Sequence, residues 1–353
     1  MTNSVGRDEI CEMVRQGEEV SKLDLSTKNL SGADFSGGVF EEVDFRGTNL
    51  EKANFKESIL IGCIFDGANL QAVNFHLVNS NKCSFKNADL TGVRLLSAKI
   101  SESDLTGANL SQADLRLAAL VNCILNASRF VGADMDRTVF LDSKTAGIDF
   151  SGTTLRQTVL LKSDLSSAKL GGCSFEGAIL IESKLSGHVF SGQKFTLTQF
   201  MDADLSGCDF SGCDLTQCNF KGANLIGARL EGARINNALF VGAKLGKTIF
   251  RKAGLTQSIF IDAEMPNADF SGSVMQQCIL TGAKCAESRF VGADLTYADF
   301  SYADLTRADL RGAVLTRAKL HKVADQDAAI TDRSSALPDD ADLIEAENWR
   351  PTY

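Results

Sequence analysis

Every fifth residue from Leu25 to Leu320 is bulky and apolar, and the register never slips. It opens Leu25, Leu30, Phe35, Phe40, Phe45, Leu50, Phe55 and runs through 60 positions. Only Ser80, Thr145 and Cys285 among them are not Leu, Phe, Ile or Met, and all 22 phenylalanines of the chain fall on this register. A period of five suits neither an α-helix, with about 3.6 residues per turn, nor a strand, whose side chains alternate in twos. Two residues before each centre stands a small side chain, such as Ala33, Ala53, Ala68, Ala88 or Ala108, with Cys, Ser or Thr elsewhere. Gly often follows two residues after, as at Gly32, Gly67, Gly107 and Gly222. The pattern demands a coil in which one large and one small side chain of each five point inward before the chain turns a corner. One such coil cannot bury its own hydrophobic face, so stability must come from stacking.

A second period, of twenty, lies over the first. The residues around every fourth centre read VFLD (139–142), VLLK (159–162), ILIE (179–182), QFMD (199–202), LFVG (239–242) and IFID (259–262). A coil of four five-residue units places these segments directly above one another. Units such as ANLQA (68–72), ADLTG (88–92), ANLSQ (108–112), ADLSG (203–207) and ADLTR (303–307) resemble the pentapeptide-repeat family, A-[DN]-L-x-x. The resemblance covers residues 23–320. It implies an all-β solenoid, a right-handed quadrilateral β-helix of about 15 coils. At a strand spacing of about 4.8 Å, such a stack is about 70 Å long.

The two ends of a solenoid expose core and unpaired strand groups, and need caps. Residues 1–22 are expected to supply an N-terminal one, with a short helix over 7–19 that turns Ile10, Met13 and Val14 to one side. Residues 321–353 are expected to form an acidic tail. In it an irregular crossing over 321–337 leads to a short helix after Pro338-Asp339-Asp340, and Leu343, Ile344 and Trp349 cover the last coil. The formal charge of −9 sits at these ends, since residues 23–320 hold 32 acids against 30 bases. The chain has no apolar run long enough to cross a bilayer. Its first residues carry acids and lack a signal-peptide pattern, so a bacterial cytoplasmic protein is expected, or one exported without a signal peptide.

No enzyme, cofactor or metal site is expected. Eight of the ten cysteines (63, 83, 123, 173, 208, 213, 218 and 278) occupy the small inward slot, where a thiol acts as a small hydrophobe. Cys285 takes a centre. The spacing of Cys208, Cys213 and Cys218 comes from the repeat, so it is no metal signature. Cys63 and Cys83 stack in neighbouring coils as free thiols. Gly246-Lys247-Thr248 imitates part of a phosphate loop, but position 241 is Val where the required Gly would stand, and the register points Thr248 inward. His188 and Gln193 occupy small slots in a polar stretch of core.

One face stands apart. Its outward flanks are Val39, Ile59, Ile61, Val121, Val139, Leu141, Val159, Leu161, Ile179, Ile181, Met201, Leu239, Val241, Ile259, Ile261 and Ile279, where the other faces carry mostly Asp, Asn, Ser, Thr, Lys and Arg. β-Branched residues suit any strand, but that does not confine them to one side. An apolar stripe of this length exceeds what a monomer ordinarily exposes. The expected function is a structural interaction module, a stiff rod that binds a protein partner or a second copy of itself along this face. Two other roles are open. One is that of adaptor, carrier or effector in bacterial contractile (type VI) secretion, where similar repeats occur. The other is DNA mimicry, as in the family members that bind type II topoisomerases. A nearly neutral solenoid with 30 bases is poorly suited to imitate a phosphate ladder, and no direct nucleic-acid binding is expected.

Overall fold

The computed structural model describes residues 6–350. The chain forms two compact units, Met1–Lys184 and Leu185–Tyr353. Both are parallel β-solenoid, and together they hold about 16 turns and two short helices. Each turn takes twenty residues, as successive bridges such as Asn29↔Asn49↔Asn69 in the first unit and Asp204↔Asn224↔Lys244 in the second show. Four bridge positions per turn make four sides.

The consensus follows from the needs of five backbone N–H groups. Around Leu25, the centre N–H donates to the next coil (Asp44 O, 2.8 Å), and so does the residue two further on (Thr27 to Arg46 O, 2.9 Å). The residue before each centre donates to the coil below, as Asp44 does to Leu23 O at 2.9 Å. The small residue closes a turn onto the preceding centre, as Ala33 does to Leu30 O at 3.1 Å. The residue just after the centre is left, and its N–H goes to the Asp or Asn side chain two residues back. Ser26 N donates to Asp24 Oδ1 at 3.0 Å and Thr216 N to Asp214 Oδ1 at 3.2 Å. That Asx bond is the physical reason for Asp and Asn in the repeat. The corner two residues after each centre takes a positive φ, which Gly67 meets freely at +64° and Lys52 and Glu57 also adopt.

In the first unit, α1 (Arg7–Arg15) precedes β1 (Val20–Ser21), β2 (Val39–Glu41), β3 (Ile59–Ile61), β4 (Asn79–Asn81), β5 (Lys99–Ser101), β6 (Ala119–Val121), β7 (Val139–Leu141) and β8 (Val159–Leu160). These strands form one parallel sheet in chain order. All lie on a single side, the one whose centres are Phe40, Leu60, Ser80 and so on. There the residue before the centre is mostly Val, Ile or Ala, which offers no Asx acceptor. The residue after it pairs within the strand, as Glu41↔Ile61 does. α1 sits on the open end of this unit, with Ile10 fully buried, Val14 against Gly38, and Arg7 Nη1 donating to Ser31 O at 3.3 Å.

Large centres stack coil on coil. Phe45, Phe65 and Phe85 lie at 4.7 and 4.9 Å between ring centroids in the first unit, and Phe220, Phe240 and Phe260 at 4.8 and 4.7 Å in the second. The small slot accepts hydroxyls and thiols because a main-chain acceptor waits there. Thr138 Oγ1 donates to Leu115 O at 2.8 Å and Thr158 Oγ1 to Met135 O at 2.7 Å. Cys208, Cys213 and Cys218 donate in the same way to Leu185, Phe190 and Phe195 carbonyls at 3.0, 3.0 and 2.9 Å. Where the turn bond is not made, a hydroxyl one coil on replaces it, as Ser103 Oγ does for Cys83 N at 3.1 Å. The hydroxyls and thiols of the polar stretch are thus tied to the backbone, whereas Gln193 Oε1, in a half-buried small slot, has no hydrogen-bond partner.

In the second unit, β9 (Asp309–Leu310) pairs with β10 (Ala329–Ile330), and α2 spans Ala341–Asn348. The irregular crossing expected over 321–337 is in fact a further coil, shortened at its end. Lys319 bridges Leu337, eighteen residues on rather than twenty, with Arg317 N donating to Ser335 O at 2.7 Å and Leu337 N to Ala318 O at 2.9 Å. The expected apolar cap of Leu343, Ile344 and Trp349 over the last coil is at most partial, since Leu343 is 39 % exposed and Trp349 72 %, with Ile344 alone half-buried. The reason is that an open coil edge needs backbone partners, which residues 335–337 supply and an apolar helix face would not. α2, capped by Asp340 Oδ1 on Leu343 N at 3.0 Å, is held instead through Glu347, which pairs with Lys322 and accepts from the Tyr302 hydroxyl.

Those two partners, Lys322 first, hold the Glu347 carboxyl down to about 2. Its contribution to docking α2 is therefore present above the ordinary glutamate range and lost as pH falls through about 2. Trp349, the single tryptophan, adjoins this helix. Its fluorescence anisotropy is expected to hold steady from pH 7 to about 4 and to fall towards pH 2 while the solenoid circular dichroism persists. A steady value to pH 2 would mean that Glu347 does not hold the helix.

Candidate interaction face

The predicted apolar positions fall on the side that carries β1–β8 in the first unit, and on the equivalent side in the second. In the first unit Val39 pairs with Ile59, and Ile61 lies beside them across the buried centre Leu60. Ile59 and Ile61 are each 40 % exposed. Asn79, Asn81, Lys99 and Ser101 then interrupt the apolar run. It resumes at Val121 and at Val139↔Val159↔Ile179, with Leu141, Leu161 and Ile181 on the far side of centres Phe140, Leu160 and Leu180. In the second unit Met201 is set apart by Asn219 and Lys221. Leu239↔Ile259↔Ile279 are consecutive rungs, flanked by Val241 and Ile261, and Asp299 ends the series. The stripe is therefore patches, of which Val139–Ile181 and Leu239–Ile279 are the broadest.

Sequence reasoning missed the corner that leads onto this side. Leu77 and Leu117 in the first unit and Leu197 in the second stand two residues before the face, at about half exposure and positive φ. Neither exposure nor a left-handed backbone favours leucine. The signal that could have found them is the same period of twenty, read at the corner rather than beside the centre. The confinement expected of exposed aliphatics is not complete, since Val189, Ile226, Val274 and Val314 are exposed on other sides of the second unit.

The remaining sides are built from polar ladders that satisfy themselves. In the first unit the amides of Asn29, Asn49 and Asn69 bond rung to rung at 3.1 and 3.0 Å. In the second, charges alternate in sign along bridged rungs, as in Lys244↔Glu264↔Lys284↔Asp304 and Asp269↔Arg289↔Asp309. Lys284 meets Glu264 at 2.8 Å and Arg234 meets Asp214 at 3.0 Å. Arginine two residues on does the same within a unit. Hydrogen bonds from Arg46 and Arg116 hold Asp44 and Asp114 below the usual carboxylate range, and Arg311 brings Asp309 to about 2. These carboxylates stay charged but are neutralised locally, which is the opposite of a phosphate ladder.

Among the described residues, no group of three His, Cys, Asp or Glu side chains could hold a metal ion, and no helix is long and apolar enough to cross a membrane. Thr248 of the phosphate-loop imitation is fully buried and donates to Leu225 O at 2.8 Å.

Among solved structures, the chain is similar to HetL, a pentapeptide repeat protein involved in heterocyst differentiation regulation from the cyanobacterium Nostoc sp. strain PCC 7120. The identity is 22 %, over 88 % of this chain and 95 % of that one, with a TM-score of 0.20. It is similar to a pentapeptide repeat protein of the Arabidopsis thaliana thylakoid lumen at 22 % identity, over 38 % and 74 % of the two chains, with a TM-score of 0.23. It is also similar to full-length QnrB1, a plasmid-mediated fluoroquinolone resistance protein, at 17 % identity over 59 % and 93 %, with a TM-score of 0.24. No curated protein sequence matches it. The family model for pentapeptide repeats matches in eight copies between residues 103 and 323, and a second model, for a pentapeptide repeat region, matches residues 33–110. With the repeat's hydrogen-bond logic visible in each coil and these models spanning most of its length, the chain belongs to the pentapeptide-repeat family.

Proposed function

We propose that this protein is a non-enzymatic docking module whose apolar patches, Val139–Ile181 in the first unit and Leu239–Ile279 in the second, each seat a protein partner. The observation that carries this reading is the contrast between sides. Three carry mainly ladders of Asn, Asp, Lys and Arg that find partners within the solenoid, with single aliphatics such as Val189 and Val274 between them, while the fourth gathers its aliphatic rungs into continuous patches. Parallel rungs about 4.8 Å apart form a flat, rigid surface that loses little entropy on binding. The ten free cysteines fit a reducing compartment such as a bacterial cytoplasm. A role in contractile secretion would give the face a partner. Mimicry of DNA is disfavoured by the alternating charge.

The test treats each unit separately. Ile179→Asp with Ile181→Asp, and Ile259→Asp with Ile261→Asp, alter half-buried outward positions and leave the centres intact. Wild type and both variants are sized by light scattering, and proteins crosslinked to each in native lysate are identified. A partner that wild type retains is expected to bind at least about tenfold more weakly to one variant at unchanged circular dichroism, a loss of about 1.4 kcal/mol. A second copy of the chain lost from the variant would identify the occupant as itself. Identical partners and masses for all three proteins would sink the reading.

A further inference from the structure

The end of the second unit holds a pocket of about 460 Å³ between the last coils and the segment leading into α2. Leu320, Leu337, Pro338 and Leu343 make its apolar wall. His321 lines it from the last coil, 4 % exposed, with neither ring nitrogen hydrogen-bonded. The nearest carboxylate oxygens are Asp339 Oδ1, 3.8 Å from Nδ1, and Glu347 Oε2, 3.5 Å from Nε2. Both carboxylates lie within ion-pair reach but beyond the usual range of about 2.7–3.2 Å for an N–H···O bond. Buried imidazoles are ordinarily satisfied, so two orphaned nitrogens at a pocket wall ask for a partner.

The charges around them say what kind. Glu347 is engaged by Lys322 and Tyr302. Asp299 receives Ser301 N at 2.9 Å and Ser301 Oγ at 2.6 Å, and pairs with Lys319 at 3.7 Å. Asp339 and Asp340 remain, on the segment that closes the pocket, with no Lys or Arg partner among the ion pairs of the described residues. An anionic ligand would meet like charge there. A metal ion lacks a third ligand.

We propose that this pocket binds a primary ammonium group carried on a short aliphatic stem. The ammonium donates to a His321 ring nitrogen and to the Asp339 carboxylate, and its methylenes lie along Leu320, Leu337 and Leu343. The volume is that of an ordinary small-ligand site, of order 300–1,000 Å³. The pocket begins where the Leu239–Ile279 patch ends, since Asp299 is the rung after Ile279, but the ammonium contacts proposed for it use none of the patch residues.

Full-length protein with labelled histidines tests this directly, because the chain has three, His76, His188 and His321. n-Butylammonium chloride is titrated to tens of millimolar, with sodium butyrate and 1-butanol as matched controls. Butylammonium is expected to shift the His321 ring signals saturably and leave those of His76 and His188 in place. Asp339→Asn, at an exposed position, is expected to weaken the effect at least threefold at unchanged circular dichroism. A capped lysine amide in place of butylammonium separates the sources. Binding of both points to a lysine side chain of a polypeptide, and binding of butylammonium alone to a free amine. Equal shifts with butyrate or butanol, uniform shifts of all three histidines, or an Asp339→Asn protein that binds as wild type would each overturn the proposal.

Discussion

Phe240→Ala is expected to destabilise the second unit by about 3–5 kcal/mol, close to the whole margin of many domains. Phe240 is fully buried and lies nearly parallel to Phe220 and Phe260, at 4.8 and 4.7 Å, with Phe250 edge-on at 5.9 Å. The cost sits at the high end because the site cannot collapse. Phe240 N donates to Ile259 O at 2.7 Å, and the turn after it is closed by Ala243 N onto Phe240 O at 3.0 Å. The backbone is thus held from the coil beyond and from the corner, and the void stays open. Phe240→Leu should cost only about 1–2 kcal/mol, since leucine fills the same kind of centre at Leu225 and Leu280. Urea unfolding followed by far-ultraviolet circular dichroism gives both values. An alanine variant that loses less than about 1 kcal/mol would show that the coils close over the gap and that the register is softer than its hydrogen bonds imply.

The second large effect concerns the thiols. At pH 8, iodoacetamide is expected to modify Cys11 while the nine buried cysteines react far more slowly, Cys208 and Cys278 by at least about a thousandfold. Cys11 is half-buried on α1, whereas the nine are buried in the solenoid. Burial pushes Cys208 and Cys278 up to about 12 and Cys123 and Cys213 to about 11. For a thiol at about 12, the reactive thiolate is scarcer than at an ordinary site by roughly a thousandfold at pH 8, before access is considered. The eight in small slots also donate to main-chain carbonyls, as Cys278 does to Leu255 O at 3.0 Å. Mass spectrometry over time is expected to show one added label in the native protein and ten in denaturant. Two or more labels added at the rate of Cys11 would mean that coils open locally far more often than a closed solenoid allows.

The solenoid could be read from the chain because its signal is local and repeated. A centre such as Phe65 and its partner small slot Cys63 lie two residues apart, and the next copy follows five later. The face was legible for a related reason, since residues twenty apart, such as Ile259 and Ile279, become neighbours without any long-range guess. The end of the chain was not legible. The step from Lys319 to Leu337 drops two residues from the period, and a shortened coil has no sequence mark once the apolar register stops. The corner leucines were overlooked because a turn position ordinarily reports backbone conformation rather than contact. The His321 pocket depends on residues from Thr281 to Leu343, brought together only by closure of that last coil.

That shortened coil has a consequence for how copies of the protein behave towards one another. A parallel coil edge with free N–H and C=O groups is a template on which a second chain could add rungs, and then a third, as a fibre grows. Residues 335–337 occupy part of the edge at Arg317–Lys319, and because the chain arrives there two residues early, the repeat cannot continue in phase. A copy stacking on this end would meet a coil two residues out of step, so a continuous twenty-residue ladder is expected not to extend in phase from it.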